Sequence, residues 1–121
     1  MGRVVHFEVP VDDPERARTF YESALGWSFQ GWGDQPYWLT AIGPEDAAGI
    51  EGALIGRSEI HAAPVLVVGV EDLDATLARV AAAGGEALTD RDAVPGIGWA
   101  AYVRDPEGNV IGLFQPDDEA G

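Results

Sequence analysis

Arg3-Val4-Val5-His6-Phe7-Glu8-Val9-Pro10-Val11 runs straight into Asp12-Asp13-Pro14-Glu15-Arg16-Ala17, and this stretch decides the fold. Apolar residues alternate with His6 and Glu8, which is the period of a strand with one polar face, until Pro10 ends the ladder. Asp13 and Pro14 then stand as N-cap and first helical residue. Ala17, Phe20, Tyr21, Ala24 and Leu25 recur at helical spacing, and Gly26 supplies the stop. The spacing predicts a strand over Arg3 to Val11 and a helix over Pro14 to Leu25.

Three short apolar runs follow, Trp27 to Gln30, Tyr37 to Ile42 and Ile50 to Ile55. They are separated by the turn-forming groups Gly31-Trp32-Gly33-Asp34 and Gly43-Pro44-Glu45-Asp46 and read as antiparallel strands. The pattern then begins again. Val65 to Val70 is an apolar strand, Asp72 an N-cap, and Leu73, Leu77, Val80 and Ala81 a helical stripe closed by Gly84-Gly85. Glu86 to Leu88, Trp99 to Val103 and Val110 to Gln115 complete the second set, with turns at Pro95-Gly96 and Asp105-Pro106-Glu107-Gly108. An offset of 59 lays Val11-Asp12-Asp13 over Val70-Glu71-Asp72 and Gly26 over Gly85. The expected fold class is α+β: two tandem βαβββ modules, about residues 3–57 and 63–116, forming a cupped mixed sheet within one domain over residues 1–121. A pocket is expected in the concave face.

The 121 residues suffice for one domain. Lys and Arg number 7 against 21 Asp and Glu, a net charge of −14, which argues against nucleic acid and against anionic membrane surfaces. With no cysteine, disulfides, thiolate catalysis and Cys-ligated zinc are excluded. The longest uncharged apolar stretch, around Ala62 to Val70, is too short to span a bilayer, and the expected setting is cytoplasmic. The acidic tail from Asp117 to Gly121 is expected to fray.

The chain resembles the vicinal oxygen chelate superfamily, which includes glyoxalase I, bleomycin-resistance proteins, fosfomycin-resistance enzymes and extradiol dioxygenases. The matching residues are His6-Phe7-Glu8-Val9, Asp12 to Ala17, Phe20-Tyr21, Leu25-Gly26-Trp27, Val70 to Asp74 and Asp105-Pro106-Glu107-Gly108-Asn109. Metal-dependent relatives place one ligand on the first and one on the last strand of each module. By that resemblance His6 takes the first position, Val65 the second-module equivalent, Gly112 the last-strand carboxylate position, and a residue at or beside Gly52 its first-module counterpart. Glu51, one residue away, is a ligand only if the loop before it carries an extra residue or a bulge, because a single-residue shift turns a side chain to the other face. His6 and Glu51 are thus the only metal candidates. No tightly bound metal or other cofactor is expected, a weakly held divalent cation being the most that such a set supports. His61 lies in the polar connection between modules and reads as an exposed residue.

Glu8 shares a strand face with His6, and a carboxylate turned into a core needs a partner or a wet cavity. The two suggest a polar cavity floor, with Glu8 orienting the imidazole or acting as base and His6 as acid or base. Tyr37, Trp38, Trp99 and Tyr102 lie on corresponding strands and are candidates for a ligand-binding wall, although only one of Tyr37 and Trp38 can face the cup. Trp32 is a candidate for a pocket rim or a subunit contact, and the loop Pro95 to Gly98 reads as a plain turn before it reads as a pocket cover. With the resemblance, these residues imply a small-molecule-binding protein that lacks most of the family's metal ligands, of a resistance or sequestration type. The alternative is a glyoxalase-like lyase, isomerase or dioxygenase using His6 with a weak metal, or metal-free acid/base chemistry. The resemblance also implies a homodimer.

Overall fold

The computed structural model describes residues 2–41 and 48–121. The turn expected at Gly43-Pro44-Glu45-Asp46, and Ile42 before it, lie outside the described residues. Two compact units divide the chain. One is His6–Pro64; the other is Val65–Gly121 together with the start of the chain up to Val5.

In the first unit a strand β1 (Arg3–Val11), whose last six residues belong here, precedes helix α1 (Pro14–Leu25). Strands β2 (Ser28–Trp32), β3 (Gln35–Ala41) and β4 (Ala53–Gly56) follow, in the sheet order β2-β3-β4-β1. β1 runs parallel to β4, and the other two pairings are antiparallel. The turn after β2 is tighter than the composition suggests. Gly31 and Trp32 continue the strand, and only Gly33 and Asp34 form the reversal.

Period-2 alternation sorts the faces of this sheet. Phe7 lies 5.8 Å from Trp27, whose ring stacks 4.8 Å from Tyr21 of α1, so the odd positions of β1 face the helix. Val9 pairs with Leu54 and Leu54 with Trp38, which puts those three on the same side. His6, Glu8, Pro10, Tyr37, Leu39, Ala53 and Ile55 therefore share the opposite face.

The second unit repeats the plan. Strand β5 (Val65–Gly69), helix α2 (Leu73–Ala82) and strands β6 (Glu86–Ala87), β7 (Asp92–Val94), β8 (Gly98–Arg104) and β9 (Val110–Pro116) give the order β5-β9-β8-β6, with β7 also paired to β8. Its first and last strands again run parallel. Leu73 of α2 packs with Ala101, Val103 and Leu113 into the core of this unit, flanked by Trp99. Strand β7 is an addition to the expected elements. Only three residues long, it is too short to show a period.

Both helices open in the same way. The Asp13 carboxylate accepts from the Arg16 amide at 3.1 Å, and Asp72 accepts from the Ala75 amide at 3.0 Å. They close differently. Gly26 is left-handed (φ 72°), and its amide and that of Trp27 bond back to Glu22 and Tyr21. At the end of α2 the left-handed residue is Gly84 (φ 95°), one position before the Gly85 that the repeat alignment points to.

The tail is not frayed. The Asp117 amide donates to the Ile97 carbonyl, the Gly96 amide to that of Ala120, and Ala120 is buried, so the acidic segment is stitched to the 95–97 turn. The Asp117 carboxylate also accepts from the Trp99 indole at 3.0 Å. Its charged residues hid this backbone pairing in the sequence.

Because each cap satisfies an otherwise orphaned helix amide, Asp13→Ala and Asp72→Ala are each expected to lower the unfolding free energy by about 1 kcal/mol in denaturant titration.

Candidate functional site

The face opposite α1 is apolar at Pro10, Leu39, Ala53 and Ile55, which makes its polar side chains conspicuous. Glu8 is only 4 % exposed, and its Oε1 lies 2.7 Å from Nε2 of His61, itself 5 % exposed. The sequence reading placed His61 on the surface, and the structure overturns that. A short turn brings it in: the His61 amide donates to Ser58 Oγ at 3.1 Å, and the Ser58 amide returns to the His61 carbonyl. Arg57, bonded to Asp12 and to the carbonyls of Ala62 and Pro10, fastens the same connection to the end of β1.

His6, half-buried, places its Nε2 2.7 Å from the Tyr37 hydroxyl. Tyr37 also stands close enough to Glu8 for the carboxylate to act on its hydroxyl. Burial, then the nearby Glu8 carboxylate, push the Tyr37 phenol far above its ordinary range. Burial is also the main influence on His6 and lowers its pKa below 6.5, against the opposing pull of Glu8, the Glu51 carbonyl and the Glu51 charge. His6, Glu8, Tyr37 and His61 thus form one connected polar group. Glu8 touches the imidazole of His61, and its charge acts on both Tyr37 and His6.

The remaining candidates are distributed by strand alternation. Trp38 stands on the α1 face over Gly31, so of the adjacent pair it is Tyr37 that faces His6. Trp99 lies with the core against α2, under the Arg91 guanidinium at 4.0 Å, and its indole is committed to Asp117. Trp38 and Trp99 thus lie on the helix-facing sides of their sheets, and Tyr37 is the member of the adjacent pair on the side of His6. Tyr102 is opposite α2, beside Gly112. Trp32 is part-exposed at the end of β2.

The positions that the resemblance assigns to a metal do not supply its donors. Val65 and Gly112 carry none. A Cβ on Gly52 would meet the Phe7 ring at 2.5 Å, so that position faces the helix and not His6. Glu51 meets His6 through its backbone carbonyl, while its Oε2 accepts from Thr40 Oγ1 at 3.1 Å. Both imidazole Nε2 atoms have protein partners. Among the described residues no group of three or more His, Cys, Asp or Glu is arranged to hold a metal ion. The donor set does not fit the four-ligand centre of metal-dependent relatives.

Removing one member of a buried pair strands the other. His61→Phe is expected to cost ~3 kcal/mol of unfolding free energy, and His61→Gln, which keeps a donor for Glu8, clearly less. Gly52→Glu is expected to destabilise by about 1–3 kcal/mol without creating a metal site, since its side chain drives into Phe7. The His6 effect on stability has a defined sign. With the folded pKa below 6.5, the unfolded chain binds the proton first, so this contribution is lost as pH falls through and below 6.5. Wild type is therefore expected to lose stability relative to His6→Gln between pH values of about 7 and 5, measured by paired denaturant titrations.

Comparison with known proteins places this geometry in a family. The chain is 28% identical over 120 residues to the putative glyoxylase CFP32 of Mycobacterium bovis, covering 95% of this chain but only 44% of that protein. The chain thus spans less than half the length of that relative. It is 32% identical over 115 residues to a glyoxylase-like domain-containing protein of Didymella fabae, covering 90% of each. The crystal structure of methylmalonyl-CoA epimerase from Mycobacterium tuberculosis superposes with a TM-score of 0.64 at 24% identity, over 93% of this chain and 87% of that one, a likeness of fold. The family description "Glyoxalase/Bleomycin resistance protein/Dioxygenase superfamily" matches residues 3–113, and the chain belongs to that superfamily.

Proposed function

We propose that the protein is a small-molecule-binding member of the superfamily that works without a resident metal, and that its ligand contacts the polar group of the first unit. The observation that carries this reading is the His6–Tyr37 bond backed by the buried Glu8–His61 pair. A sheet face that is otherwise apolar retains three polar side chains, with His61 brought against it from the connection after β4, and holding a carboxylate there costs free energy that packing alone does not recover. Such groups set ligand orientation on an apolar floor. His6, Glu8 and Tyr37 are the proposed contacts. The net charge of −14 favours neutral or cationic ligands in long-range association.

A homodimer, with the protein in the cytoplasm, belongs to the same proposal. The family resemblance suggests the dimer, and the part-exposed Val4, Val5 and Leu66 are compatible with a further contact surface. No described helix is long and apolar enough to cross a membrane. A sizing measurement at micromolar concentration is expected to give twice the 12.8 kDa chain mass, and a 12.8 kDa species alone would remove the dimer from the proposal.

A thermal-shift screen of neutral and cationic small molecules tests the site. Hits are expected whose stabilisation persists in chelator and disappears in His6→Gln and Tyr37→Phe, as mass action requires of a ligand held there. About one equivalent of Ni, Zn, Fe or Mn in the purified protein, with hits that chelation abolishes, would contradict the reading.

A further inference from the structure

The turn from β1 into α1 carries a cleft of about 370 Å³ whose lining belongs wholly to the first unit and includes none of His6, Glu8, Tyr37 or His61. That volume lies within the range of small-ligand sites. Its apolar side is Val9, Val11 and Ala17, with the rings of Phe20 and Tyr21 beside them. Phe20 is 59 % exposed, yet its position is fixed: the ring stands edge-on to Tyr21 at 5.0 Å, and Tyr21 stacks on Trp27 at 4.8 Å. An exposed ring held in this way offers a preformed surface to an apolar group.

The charged side of the cleft sets Arg16 and Arg57 against Asp12 and Asp13. Arg57 is committed to Asp12 at 3.0 Å and to the carbonyls of Ala62 and Pro10, and Asp13 Oδ1 accepts the Arg16 amide as the helix cap. One cation remains unused. The Arg16 guanidinium is exposed and has no hydrogen bond or ion pair among the described residues, although acids outnumber bases 21 to 7 in this chain and two of them line the same cleft. Each aspartate also keeps a second carboxylate oxygen without a described partner, and the Asp12 side chain is 65% exposed.

An anion placed here would meet both aspartates, and a cation would meet both arginines. A ligand with one charge of each sign satisfies the lining. Its carboxylate takes the forked donors of Arg16, its ammonium takes the open aspartate oxygens, and its apolar part covers the Phe20 ring. Neutral overall, it is neither drawn nor repelled at long range by the net charge of −14. We propose that this cleft binds a zwitterion with an apolar side chain, a free α-amino acid of the phenylalanine type, with Arg16 and Phe20 as the selecting contacts. The site is independent of the ligand reading for the His6 group.

A proton–nitrogen NMR titration of the full chain with L-phenylalanine tests this. Saturable shifts are expected at the amides from Asp12 to Tyr21, with a dissociation constant on the order of millimolar for so open a cleft. Hydrocinnamate, which lacks the ammonium, and phenethylamine, which lacks the carboxylate, should each bind about tenfold or more weaker. Arg16→Gln, whose side chain has no partner to lose, should weaken phenylalanine by about tenfold and leave phenethylamine as it was. Absence of saturation by phenylalanine at tens of millimolar would overturn the proposal. So would phenethylamine binding as tightly as phenylalanine, or phenylalanine binding unchanged in folded Arg16→Gln. Shifts centred on His6 and Tyr37 would assign the ligand to the other site and equally overturn it. The comparison of the three probes on wild type needs no variant, so it decides the matter even if Arg16→Gln fails to fold.

Discussion

A carboxylate in an apolar sheet face is the constraint around which the first unit is organised. Glu8 lies on the same side of its strand as Ala53 and Ile55, and it is nearly inaccessible to water. An unpaired charge there would cost several kcal/mol, so the chain must bring a donor to it. His61 is that donor, and the details of the connection after β4 follow from the need to deliver it. Ser58 closes the turn, and Arg57 ties the turn to Asp12 and Pro10. Tyr37, whose hydroxyl meets His6, arrives through the register of β3 on β4, which a shift of one residue would replace with Trp38.

The two modules keep the same frame and differ in what it presents. Each has an Asp-capped helix and a parallel pairing of first and last strands. Opposite α2, the second sheet presents Val65, Val67, Gly112 and Tyr102 on β5, β9 and β8, and the carboxylates on that side, Glu86 and Asp92, are exposed on the short strands β6 and β7. Among the described residues the buried histidine–carboxylate pair lies in the first module. In the first module Gly52 gives room to the Phe7 ring, so the position at which the resemblance looks for a ligand instead serves packing against α1.

Much of this frame is legible in the sequence. Alternation around His6 and Glu8, the Asp13-Pro14 start and the Gly26 stop locate β1 and α1, and the offset repeat locates their counterparts. The inward Glu8 is legible too, because it falls two residues from His6. Its partner is not. His61 sits among Ser, Glu and Ala in a connection without period, and nothing local marks a residue whose role is set by a contact 53 positions away. The choice between Tyr37 and Trp38 also depends on register, which adjacent residues of similar character leave open. The tail from Asp117 to Gly121 misleads for a related reason: its acidic side chains suggest solvent, while its backbone amides and carbonyls bind the 95–97 turn.

The central claim is that Glu8 and His61 are energetically one unit. A double-mutant cycle on the unfolding free energy, using Glu8→Gln and His61→Phe singly and together, measures that coupling directly. The account requires a coupling of at least about 1.5 kcal/mol, with the double variant more stable than the single changes sum to, since removing the charge removes the need for its partner. A coupling near zero would mean that each side chain is accommodated independently, and would contradict the account.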